Sequence, residues 1–110
     1  MLKLNPSPQF IAPVSLTIAG ESETGSVLLT FMHQGKQALA AWLDSATSGT
    51  SDLDLVAGVV LGWDGVNDES GAPVPFSRDA LAALLDAYSA AAGEIVSAYI
   101  HALTESRAKN

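Results

Sequence analysis

The hydrophobic period of this 110-residue chain changes from two to about 3.6 near Gly35, and this change limits the possible folds most strongly. Before it, two short segments carry large apolar residues at every second position: Val14, Leu16, Ile18 and then Val27, Leu29, Phe31. A polar connection with glycine near each end separates them, which predicts an antiparallel hairpin. Because two strands alone are only marginally stable, we expect helices to cover this hairpin.

The segment after Gly35 predicts two helices. The first carries an apolar face at helical spacing and should end before Ser48: Leu39, Trp42, Leu43, Ala46. Ser51 is a good N-cap for the second, with Asp52 and Asp54 in its first turn. This second helix is apolar nearly all round as far as residue 61, so we expect it to be buried. Glycine at 58 and β-branched valines at 59 and 60 also fit a strand, and both alternatives stay open.

The clearest local signal lies after a loop rich in glycine, proline and acidic residues at 62–75. Ser77 is predicted to cap a third helix, with Asp79 in its first turn and Phe76 with Leu81 at the positions of a hydrophobic staple. A fourth helix follows Ser89, with an apolar face of Ala92, Ile95, Val96, Tyr99 and Leu103. We therefore predict an α+β fold, with an N-terminal antiparallel β-hairpin packed on a small bundle of about four helices. Residues 1–11 are predicted to form a flexible N-terminal arm, and residues 12–110 a single domain.

The charge of the chain limits its partners. The formal net charge is −7, and residues 37–106 hold ten acidic residues against Arg78 alone, a local charge of −9. Nucleic acid and anionic membranes are therefore poor partners, since both attract clustered Lys and Arg. A basic or neutral protein partner is one explanation of the acidity, and the solubility of a small apolar domain is the other.

No motif indicates catalysis or a bound cofactor. There is no cysteine, and His33 and His101 are far apart with no HExxH or HxH pattern. An EF-hand loop starting at Asp64 fails, because its third position is Val66 and its sixth is Glu69. The N-terminus has no apolar signal core, and the longest apolar run, 55–63, is too short to span a membrane. We expect a non-enzymatic, cytoplasmic protein with no cofactor and no metal.

Large aromatic residues in the C-terminal half have two interpretations. Trp63 fits a core anchor whose indole N–H reaches a backbone carbonyl, but tryptophan is also enriched in binding hot spots. The same two alternatives apply to Tyr88 and Tyr99. Alanines around residues 80–92 either allow close helix packing or form a weakly apolar docking surface.

Three segments carry a family resemblance: residues 60–66 (VLGWDGV), 75–85 (PFSRDALAALL) and 98–110 (AYIHALTESRAKN). In this order and spacing they resemble the small tail assembly chaperones of bacteriophages and prophages. The resemblance implies a non-enzymatic protein that binds the phage tape measure protein and keeps it soluble in the host cytoplasm. It further implies that the protein helps to recruit tail tube subunits and is absent from the finished virion.

On that basis we predict that partner helices dock on the third and fourth helices beside the Trp63 loop. The candidate docking residues are Trp63, Asp64, Leu84, Tyr88 and Tyr99. The alternative function is a structural head–tail connector or tail completion protein that stays in the virion. Self-association is open, because the apolar segment 55–61 fits either a core or an interface.

Overall fold

The computed structural model describes residues 2–105, which form a three-stranded antiparallel sheet and four helices. The order along the chain is β1 (Gln9–Leu16), β2 (Gly25–Met32), α1 (Lys36–Thr47), α2 (Asp52–Ala57), β3 (Val60–Asp64), α3 (Arg78–Ala87) and α4 (Ala91–Thr104). The predicted α+β class, the hairpin and the four helices are confirmed. The last five residues of the third family segment lie outside the described residues.

The hairpin pairs in continuous register from Gln9 opposite Met32 to Leu16 opposite Gly25. Strand β1 therefore includes the last three residues of the predicted N-terminal arm, and Phe10 packs against the core. The alternating sequence places Val14 and Leu29 on the buried face. Flexibility of the remaining arm stays a prediction.

The second helix is shorter than its apolar pattern predicts. Its start is as expected, because Ser51 Oγ accepts a hydrogen bond from the Asp54 amide at 3.1 Å. The helix ends at Ala57, however, and residues 60–64 form β3 on the free edge of β2, with a bulge opposite Thr30 and Phe31. The helical alternative for 58–61 is thus wrong, and the strand alternative is confirmed from residue 60 onwards. Strand pairing satisfies the backbone of the β-branched valines, and this long-range contact overrides the local period.

Tyr99 of α4 lies at the centre of the core and is fully buried. Its hydroxyl donates to the Met32 carbonyl oxygen at 2.7 Å and lies 3.2 Å from Gln34 Oε1. Burial raises the pKa of Tyr99 to about 12, so the hydroxyl keeps its proton even at an alkaline pH at which an exposed tyrosine ionises. Three aromatic rings surround it at centroid distances of 5.0 to 6.1 Å: Phe31, Trp42 and Phe10. This cluster joins α4, the sheet and α1.

Replacing Tyr99 with Phe should lower the free energy of unfolding by about 0.5–1.5 kcal/mol, because the part-buried Met32 carbonyl loses its hydroxyl donor while the ring is kept. Urea denaturation followed by circular dichroism measures this change. The matched control is Tyr88→Phe, since the Tyr88 hydroxyl makes no hydrogen bond within residues 2–105. Equal stability of Tyr99→Phe and Tyr88→Phe would contradict a structural role for the Tyr99 hydroxyl.

Candidate docking site

Trp63 fixes the loop between β3 and α3. Its indole Nε1 donates to the Val74 carbonyl oxygen at 2.8 Å, and its ring meets Phe76 edge-on at 5.1 Å. The side chain is half-buried and sits opposite Leu29 in the sheet. The core-anchor interpretation of Trp63, with its indole reaching a backbone carbonyl, is confirmed.

The acidic turn in the same loop is organised by one carboxylate. Asp68 Oδ1 accepts from the Ser70 hydroxyl at 2.6 Å, the Ser70 amide at 2.9 Å and the Ala72 amide at 3.0 Å. Gly71 closes the turn with a φ of 86°, a conformation that favours glycine. The hydrogen bond from the Ser70 side chain, helped by the Ala72 amide, lowers the pKa of Asp68. The carboxylate of Asp68 therefore shapes the loop.

An apolar groove of about 240 Å³ opens between the end of the hairpin, this loop and the end of α3. We call it the hairpin groove, and its lining residues are Leu16, Ile18, Gly25, Ser26, Val27, Gly65, Val66, Asn67, Leu84 and Tyr88. Gly65 brings the loop close to the sheet, where an added Cβ would lie 3.5 Å from the Ser26 carbonyl oxygen. A second depression of about 140 Å³ shares Tyr88 as a lining residue. Tyr88 therefore contributes to both concave surfaces.

The structure brings together only part of the predicted docking set. Leu84 and Tyr88 are half-buried and line the hairpin groove. Asp64 is exposed at the end of β3, opposite Leu28, and Trp63 lies behind the loop without lining the groove. The structure contradicts the predicted docking role of Tyr99, because its side chain is fully buried and its hydroxyl is hydrogen-bonded within the core. Tyr99 therefore cannot contact a partner of the folded domain.

Sequence reasoning missed three groove residues on the hairpin: Leu16, Ile18 and Val27. Their alternating pattern indicates a buried strand face, and Leu16 and Val27 are indeed buried. Nothing in that pattern shows that the sheet face ends in a groove beside α3. Only the packing of α3 and the loop against the hairpin creates it.

The alanine-rich segment does not form one flat surface. Ala91 is fully buried in the core, whereas Ala83, Ala87 and Ala90 are exposed. Helices α3 and α4 also bend by 111° at the break between them. Within residues 2–105, no single helix is long and apolar enough to cross a membrane. Only α3 and α4 taken together, despite the bend between them, have the length and composition of a membrane span.

The charge pattern of the helices leaves most acidic residues without a basic neighbour. Arg78, the single basic residue of the acidic region, forms an exposed ion pair with Asp54 and so joins α3 to α2. The hydrogen bond and charge of Arg78 lower the pKa of Asp54. Within the described chain, the other pair is His101 Nδ1 with Glu105 Oε2 at 3.0 Å. The same residues contain no group of three or more His, Asp or Glu placed to hold a metal ion.

The carboxylate of Asp68 should titrate below its usual pKa of about 3.9. Its hydrogen bonds then stabilise the loop fully above the unfolded pKa, and this stabilisation is lost as the pH falls through the lower folded pKa. Carbon-13 NMR of the Asp68 carboxyl measures the midpoint. In Ser70→Ala, which removes the largest cause of the shift, the midpoint should rise. An unchanged midpoint in this variant would contradict the proposed role of the Ser70 hydroxyl.

The chain was compared with family models, with curated proteins and with solved structures, and a family model gives the match. No curated protein and no solved structure gives a significant match to the chain. A family model described as phage tail assembly chaperone matches residues 1–110, the whole chain. This match confirms the resemblance carried by the three sequence segments. The chain belongs to the phage tail assembly chaperone family.

Proposed function

We propose that this protein binds an apolar helix of the phage tape measure protein in the hairpin groove and keeps that long partner soluble during tail assembly. The observation that carries the proposal is the groove itself, an open apolar surface on a chain of the chaperone family. Aliphatic side chains from three parts of the fold meet there, with the Tyr88 ring at one side. Such a surface suits the apolar stripe of an amphipathic helix.

The volume of the groove is suitable for side chains of a protein partner. Small-molecule sites enclose roughly 300–1,000 Å³, and the hairpin groove holds about 240 Å³. That volume suits one or two anchoring side chains of a partner. Together with the lack of a catalytic motif in the sequence, it supports an action by binding, without chemistry.

An acidic residue beside the groove would set the orientation of the partner. Asp68 is exposed and directly follows the groove residue Asn67 in the loop. We expect its carboxylate to favour basic residues that flank the apolar stripe of the tape measure helix. The same charge would limit aggregation of the chaperone with itself.

The proposed role in tail assembly follows from what the resemblance to tail assembly chaperones implies. The chaperone would act in the host cytoplasm, help recruit tail tube subunits around the tape measure protein, and leave before the virion is complete. Coexpression with the tape measure protein of the same phage, followed by fractionation, tests the central step. Rescue of the long partner into the soluble fraction with copurification is the expected result. Persistent insolubility without coelution, together with this chain in purified virions by mass spectrometry, would favour the alternative head–tail connector or tail completion role.

Leu84→Asp and Tyr88→Asp should each weaken copurification of the tape measure protein about 10- to 100-fold, since a charge in an apolar hot spot costs roughly 1–3 kcal/mol. Quantitative pull-down from the coexpression lysate measures this loss. The matched control is Ala83→Asp, which adds the same charge at an exposed position of α3.

Because Leu84 also packs against the core, circular dichroism must first show that each variant is folded. Tyr88→Ala, which removes the ring without adding charge, gives a milder second variant. Normal binding by folded Tyr88→Ala and Tyr88→Asp would show that the groove is the wrong surface.

A further inference from the structure

The face of the sheet that points away from the core is apolar and exposed. We call it the outer face, and two cross-strand rows define it: Ile11, Thr30 and Gly62, then Pro13, Leu28 and Asp64. Ile11 is 66% exposed and Leu28 44%, and Leu61 in the bulge of β3 is 46% exposed. Core side chains such as Val14 and Leu29 point to the opposite face.

We propose that a second copy of this chain packs on the outer face, so that two sheets meet face to face. The proposal is independent of the tape measure interaction. The hairpin groove is lined mainly by residues of the core side, the loop and α3, so a partner on the outer face would leave the groove open.

The charge distribution favours a second copy at this face. The chain carries a net charge of −7, so two copies repel each other over most of their surfaces. On the two rows of the outer face, Asp64 is the single ionisable residue, at the end of one row. Two acidic chains can therefore approach each other at this face with little charge repulsion. A basic partner would gain little from this uncharged surface.

The shape of the outer face is complementary to itself. In one row Ile11 is exposed on β1, whereas Gly62, two strands away on β3, has no side chain, and the hollow that this leaves is open because a Cβ there would meet only Thr30 within 4 Å. A two-fold axis in the interface, running along the central strand β2, would exchange the positions of the two outer strands. Ile11 of each copy would then lie over Gly62 of the other, and Leu28 would meet its own copy. This mutual fit is what an isologous dimer interface requires.

The available area predicts a weak dimer. The three exposed aliphatic side chains present on the order of 300 Å² of apolar surface, against roughly 800 Å² per partner in a standard stable interface. We therefore expect a monomer–dimer equilibrium that depends on concentration. Sedimentation equilibrium from about 10 µM to 1 mM, a range that suits weak association, should show the mass rising from 11.3 kDa towards twice that value.

Gly62→Val tests the hollow directly. A Cβ at Gly62 would meet only Thr30 Cβ and Oγ1, both at 3.9 Å, so the monomer can accept a side chain there. The variant should raise the dimer dissociation constant at least tenfold without lowering the melting temperature. Ala83→Val, at an exposed position of α3 outside the outer face, is the matched control and should dimerise normally.

Opposite charges at Leu28 test the two-fold arrangement. Leu28→Lys and Leu28→Asp should each be monomeric, because like charges would face each other, and an equimolar mixture should recover the dimer. The proposal is overturned if the wild-type chain stays monomeric at 1 mM, an upper limit for weak association. It is also overturned if Gly62→Val dimerises like the wild type, or if the mixture of Leu28 variants stays monomeric. Wild-type monomers combined with loss of tape measure binding in Leu28→Asp would assign the outer face to that partner instead.

Discussion

The hydrogen bond from the Tyr99 hydroxyl to the Met32 carbonyl joins the last helix to the end of the central strand. Around it, the rings of Phe31 and Trp42 pack within 5.2 Å of the Tyr99 ring, and Trp42 in turn donates to the Leu55 carbonyl at 2.9 Å. These contacts hold α4, the sheet, α1 and α2 in one arrangement. With few large side chains in an alanine-rich chain, this cluster supplies much of the apolar surface that folding removes from water.

Strand β3 determines where the acidic loop lies on the surface of the molecule. By pairing with β2, it carries Trp63 to the start of the acidic loop, and the indole then fixes that loop through Val74. The loop in turn closes one side of the hairpin groove at Gly65 and Val66. The groove therefore depends on strand β3, although the local hydrophobic pattern of the sequence predicts a helix at its start.

The two proposed surfaces have different chemistry and lie on different sides of the sheet. The hairpin groove is concave and apolar, and the exposed Asp68 follows one of its loop residues, which suits a helix with a basic flank. The outer face has one ionisable residue and a matched protrusion and hollow, which suits a second acidic copy. A dimer formed through the outer face would present two grooves, so a long helical partner could be held at two points with increased avidity.

The elements that depend on local chemistry could be predicted from the amino-acid sequence. Alternation specified the hairpin, and the caps at Ser51 and Ser77 specified where two helices begin, because capping hydrogen bonds form within one turn. The three segments also indicated the family. Of the candidate site, Leu84 and Tyr88 could be predicted, whereas Tyr99 lies on the apolar face of α4, and an apolar face by itself fits a core position and a docking position equally. Tertiary structure decided the conversion of residues 60–64 to strand, the burial of Tyr99 and the existence of the groove, because each depends on contacts between residues distant along the chain.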